Sequence, residues 1–142
     1  MADVVDAAKR SSMMAGIGPK DTQPELAVRR YLHAAGLRFR VHDRRLPGTP
    51  DIILPQHRVA IFVHGCFWHR HPGCRFATTP SSNVEFWQKK FEGNVLRDQI
   101  KEDLVRMCGW SPIVVWECET RTPENLESLF WRVLAESNHQ TP

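Results

Sequence analysis

The sequence predicts an α/β domain with a mixed central sheet flanked by helices and interrupted by a metal-binding loop. Three observations carry this. Val59-Ala60-Ile61-Phe62-Val63 and Ile113-Val114-Val115-Trp116 are continuous apolar runs, as expected of strands buried on both faces. Helical apolar spacings precede, separate and follow them. Between the first run and the next helical pattern, residues 64–82 lose all periodicity yet hold three of the seven His and two of the four Cys.

The elements follow in order. Residues 1–20 show no sustained period and read as a flexible N-terminal arm, residues 21–136 as one domain and residues 137–142 as a short tail. Thr22 stands as an N-cap, Pro24 falls in the first turn, and Glu25 lies three residues on, as in a capping box. Val28, Leu32 and Ala35 continue that helix and Gly36 closes it. Leu37, Phe39 and Val41 alternate with Arg38, Arg40 and His42, a half-exposed strand. Leu46–Pro50 is a turn, Asp51–Pro55 a short strand opening with an acid, and Gln56–Arg58 a second turn. A long helix starts at Ser82 or Asn83, faces the core with Leu96, Ile100, Leu104 and Met107, and stops at Gly109. Thr122-Pro123 open a last helix with Leu126, Leu129, Phe130 and Val133 inward. Trp110, Trp116 and Trp131 read as core, and Cys108 as an inert buried thiol.

Composition narrows the class. Of 142 residues 42% are hydrophobic and 25% charged, which is enough apolar material for a core and excludes a largely disordered chain. No run approaches ~18 uncharged apolar residues, so no transmembrane helix is expected. Met1–Arg10 holds no apolar leader, which predicts cytoplasmic residence. A net charge of +3 permits nucleic-acid binding without demonstrating it.

His64-Gly-Cys66-Phe-Trp-His69-Arg-His71-Pro-Gly-Cys74 offers zinc ligands from one loop. Cys66, Cys74 and either His69 or His71 supply three. Cys118, just past the buried strand 113–116, supplies the fourth, because neighbouring strand ends bring it beside Cys66. A disulfide is the weaker reading without a secretion signal, and buried free thiols leave the interleaved His unexplained.

Pro50-Asp51 opens a strand after a turn. An acid there is ordinarily a turn or strand cap, but His64 and His69 lie just past the next strand, and pairing brings Asp51 to His64. Carboxylate, Mg²⁺ and imidazole together suit phosphodiester hydrolysis. Glu25 either joins them or serves only its cap. Pro-Asp at such a junction resembles the nuclease core in which an Asp binds Mg²⁺, but the strand Ile61-Phe62-Val63-His64 carries neither the carboxylate nor the lysine usual on that core's second strand. Phe67-Trp68 and Trp87 are candidates to stack on bases, the alternative being a satellite core. Lys89, Lys90, Arg97 and Lys101 follow Trp87 along the polar side of its helix and are candidate phosphate contacts, the alternative being a solvated face.

Several blocks together carry a family resemblance: Lys20-Asp21-Thr22-x-Pro24-Glu25, Leu46-Pro47-Gly48-x-Pro50-Asp51, Val59 through His69, Asn83-Val84-Glu85-Phe86-Trp87, and Gly109-Trp110 with Val114 through Glu119. Over roughly residues 10–122 the chain resembles the very short patch repair (Vsr-type) DNA mismatch endonucleases. The resemblance implies a restriction-endonuclease-like core and a Mg²⁺-dependent enzyme. Such an enzyme nicks duplex DNA 5′ of the thymine in a T:G mismatch, the product of 5-methylcytosine deamination. It implies Mg²⁺ on Asp51 and the Val63 backbone carbonyl, His69 as general base, and support from His64 and Glu25. It also implies a structural Zn²⁺ on Cys66, His71, Cys74 and Cys118, and intercalation by Phe67, Trp68 and Trp87. A monomer acting on the bacterial nucleoid beside other mismatch-repair proteins is implied as well. Val63 stands where some members have Thr, and Pro72-Gly73 lengthens the zinc loop. The alternatives on the same residues are a nickase of broader mismatch range and a non-catalytic zinc-stapled DNA-binding module.

Overall fold

The computed structural model describes residues 21–139; the expected arm over 1–20 lies outside the described residues. Helix α1 (Gln23–Ala34) starts at the expected cap. Thr22 Oγ1 accepts the Glu25 amide at 3.4 Å, and the Glu25 carboxylate accepts the Asp21 amide at 3.2 Å. The helix ends in Gly36, whose φ of +80° suits a residue without a side chain.

Four strands follow: β1 (Arg40–Val41), β2 (Ile52–Leu54), β3 (Val59–His64) and β4 (Ser111–Trp116). They pair in the order β1-β2-β3-β4, antiparallel for the first two pairings and parallel for β3 with β4. This is the mixed sheet expected. The strand expected over 37–41 shrinks to two residues. Leu37 instead bonds back to the Leu32 carbonyl at 3.0 Å, and His42 leaves the strand at φ +55°. β4 tolerates Pro112 because it is an edge strand and need not donate on its outer side.

Helices cover both faces. Val28 and Leu32 of α1 and Leu129 and Val133 of α3 (Pro123–His139) pack on Ile52, Leu54, Val59, Ile61, Ile113 and Val115. Helix α3 runs into the first residues of the expected tail. On the opposite face Leu46, Ile53, Ala60 and Phe62 pack with Val105 of helix α2 (Val84–Met107).

Three expectations fail here. Leu96, Ile100, Leu104 and Met107 do not face the core; Leu96 is 62% and Met107 82% exposed. Only Phe91 and Val105 of α2 are buried, since the inward side of this helix carries polar residues toward a cleft. Cys108 is exposed, because α2 ends there at the surface. Trp131 is also exposed, lying on α3 opposite the Leu129–Val133 stripe. The orientation of α2 is testable. Ile100→Gln should leave the urea-unfolding free energy within about 0.5 kcal/mol of the parent. Val105→Ala should cost roughly 1–3 kcal/mol. The opposite ranking would turn the helix over.

Candidate functional site

Antiparallel pairing of Ile52 with Ile61 sets the start of β2 beside the end of β3. The Asp51 amide donates to the Ile61 carbonyl at 3.0 Å, and the Val63 amide donates to Asp51 Oδ2 at 2.7 Å. Burial pushes the Asp51 carboxyl up to about 6; the Val63 N–H pulls it down and the Glu25 charge pushes it further up. The loop before Asp51 rests on α2. A Cβ on Gly48, which sits at φ +89°, would lie 2.9 Å from the Lys101 carbonyl oxygen. Only glycine meets both demands.

β3 ends in His64, and the turn beyond it brings His69 back over it. The two imidazoles stack at 4.0 Å between centroids and 8° between planes. His69 Nδ1 lies 2.6 Å from Oδ2 of Asp98 on α2, while His64 Nε2 is 3.9 Å from the other oxygen. Burial, reinforced by the facing His69, pulls the His64 imidazole down to about 4, so it is neutral at pH 7. His64 Nδ1 is buried without a hydrogen-bond partner. His69 thus has one nitrogen fixed by a carboxylate, leaving Nε2 for proton transfer.

β3 and β4 pair with His64 opposite Trp116. Cys66 and Cys118 lie two residues beyond those partners, so the register itself brings the thiols together. Cys118 lies in a 3₁₀ turn (Glu117–Thr120) that Glu119 holds by accepting the Trp116 amide at 2.9 Å. His71 Nδ1 lies 3.7 Å from Cys66 Sγ and 3.4 Å from Cys118 Sγ, and its ring stacks on Trp116 at 4.3 Å. The ligand atoms of Cys66, His71, Cys74 and Cys118 lie within 4.8 Å of one another. That spacing and the S₃N donor set fit a single tetrahedral zinc ion. His64, His69 and Asp98 form a second group within that span, closed by the His69–Asp98 bond.

A cleft of about 750 Å³ opens over these residues, lined by Glu25, Asp51, His64, His69, Asp98 and Lys101 among others. Phe67 and Trp68 reach it as half of an aromatic cluster. Phe67 meets Trp68 at 5.0 Å and Phe91 at 5.3 Å, and Trp68 meets Trp87 at 5.9 Å. The Arg70 guanidinium caps Phe91 at 4.1 Å.

A sequence model of the DNA mismatch endonuclease Vsr family matches residues 2–75. The chain is 45% identical over 134 residues to the type II nicking enzyme V.XorIIP of Xanthomonas oryzae pv. oryzae, covering 94% of this chain and 98% of that one. It is 43% identical over 126 residues to the DNA mismatch endonuclease Vsr of Escherichia coli, covering 89% and 80%. A third relative, the type II nicking enzyme V.NmeAIP of Neisseria meningitidis, is 41% identical over 121 residues, covering 85% and 86%.

The chain belongs to the Vsr family. It is a DNA endonuclease, a hydrolase of phosphodiester bonds. Within this Vsr-family site, Glu25, Asp51, Val63, His64 and His69 come together in one cleft. The four expected thiol and imidazole ligands come together beside it. Glu25 serves its cap and the cleft at once, and also receives Arg29 at 3.2 Å. Trp87, Lys89 and Lys90 do not line the cleft; Trp87 reaches it only through Phe67 and Trp68. Asp98 was missed by sequence reasoning, and Lys101 was singled out only as one of several candidate phosphate contacts along the polar side of the long helix. The signal available was a polar i, i+3 pair within the long helix, which the apolar stripe on the other side of that helix overshadowed.

Asp51 is also a stability statement. Its carboxyl is raised in the fold, so folding favours the protonated form. The cost is absent below about pH 4, grows through pH 4–6 and is complete above. Asp51→Asn keeps the acceptor for the Val63 amide and carries no charge. In metal-free protein at pH 7 it should raise the urea-unfolding free energy by about 2–3 kcal/mol, an increment that vanishes at pH 4. An Asn variant less stable than the parent at pH 7 contradicts the buried, uncompensated carboxylate.

Proposed function

We propose that this endonuclease nicks one strand of duplex DNA at a T:G mismatch, on the 5′ side of the thymine, in a Mg²⁺-dependent reaction on a restriction-endonuclease-like core stapled by Zn²⁺. The observation that carries the reading is the convergence of the buried Asp51 carboxylate and the His69–Asp98 pair on one cleft edged by Phe67 and Trp68. The printed names of the relatives, a mismatch endonuclease and nicking enzymes, support it. Their bacterial sources support action in the cytoplasm on nucleoid DNA.

The donor set fits the metal. Asp51 is a hard oxygen donor whose ionisation burial opposes and whose neighbour Glu25 adds further negative charge, so a small divalent cation relieves both. Asp51 with the Val63 carbonyl holds it. When bound, Mg²⁺ supplies the positive charge that stabilises the phosphate as negative charge develops.

The chain's own groups do the rest. His69 Nε2 takes the proton of the attacking water, while Asp98 holds Nδ1–H and steadies the imidazolium that results. Neutral His64 is the floor under that ring and keeps its plane toward the cleft. Cys66, His71, Cys74 and Cys118 hold Zn²⁺ and tie the aromatic loop to the end of β4. A mispaired step is cheaper to open than a matched one, so insertion of Phe67 and Trp68 turns that difference into selectivity. Lys89 and Lys90 on the first turns of α2 contact flanking phosphates.

Strand-labelled duplexes carrying T:G, each other mismatch, or full pairing decide the matter. With Mg²⁺ the T strand alone of the T:G duplex should be cut, immediately 5′ of the thymine. EDTA should stop the reaction. Asp51→Asn should abolish cutting while changing duplex affinity by less than about threefold. Equal cutting of all mismatches would leave a broad nickase; an active Asn variant would remove Asp51 from the mechanism.

Trp68→Ala should weaken binding to the T:G duplex by about 1–3 kcal/mol more than to the matched duplex. Equal losses on both, measured by titration, would make Trp68 a packing residue of the aromatic cluster.

A further inference from the structure

A phosphodiester enters the cleft carrying negative charge and acquires more as the water attacks. Most of the groups that receive it are unsuited to that charge, the exposed Arg44 at the rim aside. Glu25, Asp51 and Asp98 are carboxylates, and His64 is held neutral by burial. β3 carries no lysine. A bound metal offsets Asp51 and Arg29 pairs with Glu25 at 3.2 Å, while Asp98 is engaged with His69 at 2.6 Å.

Lys101 stands three residues after Asp98 on α2, so both side chains leave the same face of the helix. Both line the cleft with Asp51, His64 and His69. Lys101 is half-buried. Among the described residues its ammonium has no hydrogen-bond or ion-pair partner, although five carboxylates, Glu25, Asp43, Asp51, Asp98 and Glu117, line the same cleft. Its charge is felt at two separate points of the site, favouring the ionised form of Asp51 and opposing protonation of His64. Its backbone is anchored, because the Gly48 turn that leads to Asp51 sits against the Lys101 carbonyl. The loop carrying Asp51 and the residue carrying the ammonium are therefore held in one fixed relation.

We propose that Lys101 is a further catalytic residue, its ammonium hydrogen-bonding a non-bridging oxygen of the scissile phosphate and neutralising the charge that builds there. Helix α2 supplies the cation that strand β3 lacks. The ammonium keeps its protons throughout, while the proton of the attacking water goes to His69. This inference rests on Asp51 marking the reacting phosphate.

The test is single-turnover nicking of the T:G duplex at saturating protein, with duplex affinity measured separately without Mg²⁺. Lys101→Met should slow nicking by about 10²–10³-fold with affinity within about threefold, and Lys101→Arg should recover at least tenfold of that loss. A neutral methylphosphonate at the scissile position separates contact from packing. It should slow the parent by a larger factor than it slows Lys101→Met, because that variant has already lost the charge partner. Nicking by Lys101→Met within threefold of the parent would overturn the proposal. So would a loss found wholly in affinity, or equal methylphosphonate effects in both proteins. If Lys101→Met shows a lowered urea midpoint, Lys101→Arg against the parent carries the methylphosphonate comparison, and equal effects with a full loss of rate again overturn it. Asp51→Asn is run alongside. An active Asn variant overturns the reading of the site, and with it this inference. An inactive Asn variant with a fully active Met variant overturns this inference alone.

Discussion

The register of β3 against β4 is the constraint on which the rest depends. His64 opposite Trp116 sets two chain segments leaving the sheet at the same level and in the same direction. The two residues that follow on each side deliver Cys66 and Cys118 to each other, and His71 closes on both while stacking on Trp116. A slip of one residue would turn every side chain of β4 to the other face and separate the thiols by a strand step. The same strand end, through the antiparallel pairing of β2, receives Asp51. One sheet edge thus collects the carboxylate, the stacked imidazoles and the thiol cluster, each by main-chain geometry rather than by long side chains.

Helix α2 lies against that edge on unusual terms. Its inward face spends its positions on Asn94, Asp98 and Lys101, and only Phe91 and Val105 are buried. Asn94 donates to the Trp68 carbonyl at 3.1 Å and Asp98 holds His69, so the helix is fastened by directed polar contacts at its middle and by apolar packing toward its ends. Directed contacts fix a helix's rotation and height more narrowly than apolar packing does, which suits an element that presents reacting groups. The consequence is an apolar stripe at Leu96, Ile100 and Met107 left in solvent.

That helix also shows where sequence reading stops. The strands were legible because Val59–Val63 and Ile113–Trp116 are short runs rich in β-branched residues, apolar on both faces, as a strand covered on both sides requires. The thiol cluster was legible from spacing, and Cys118 from its place after a strand. Between His69 and His71 spacing could not choose; the backbone decides, since the His71 amide returns to the Cys66 carbonyl and turns that ring to the thiols. The face of α2 was misread because apolar periodicity reports where a core could form, and here a polar cleft took the inward side. Asp98 went unseen for the same reason: nothing local distinguishes it from a solvated acid such as Asp103, which bonds only Gln99 and Arg106 on the surface. Glu25 illustrates the converse, since its cap was readable while local sequence left open whether it also joined the cleft, where the fold places it.

The site is assembled from groups the fold would be more stable without. Asp51 is ionised against its burial, and His64 Nδ1 is buried with no partner. Each costs on the order of 1–3 kcal/mol, a sizeable part of the ~5–15 kcal/mol that holds a domain of this size folded. Two apolar clusters, one on each face of the sheet, offset that cost. They lie beneath the strands, whereas the costs fall at the strand ends, and neither cluster draws a residue from the loop over residues 64–82. The apolar core therefore fixes the sheet but not the loop. The loop's order must come from local devices: Arg70 reaching the Ala77 and Thr78 carbonyls at 3.0 and 2.8 Å, the aromatic cluster, and the thiol–imidazole cluster. A metal held in that last cluster would stabilise the part of the molecule that the hydrophobic core does not reach.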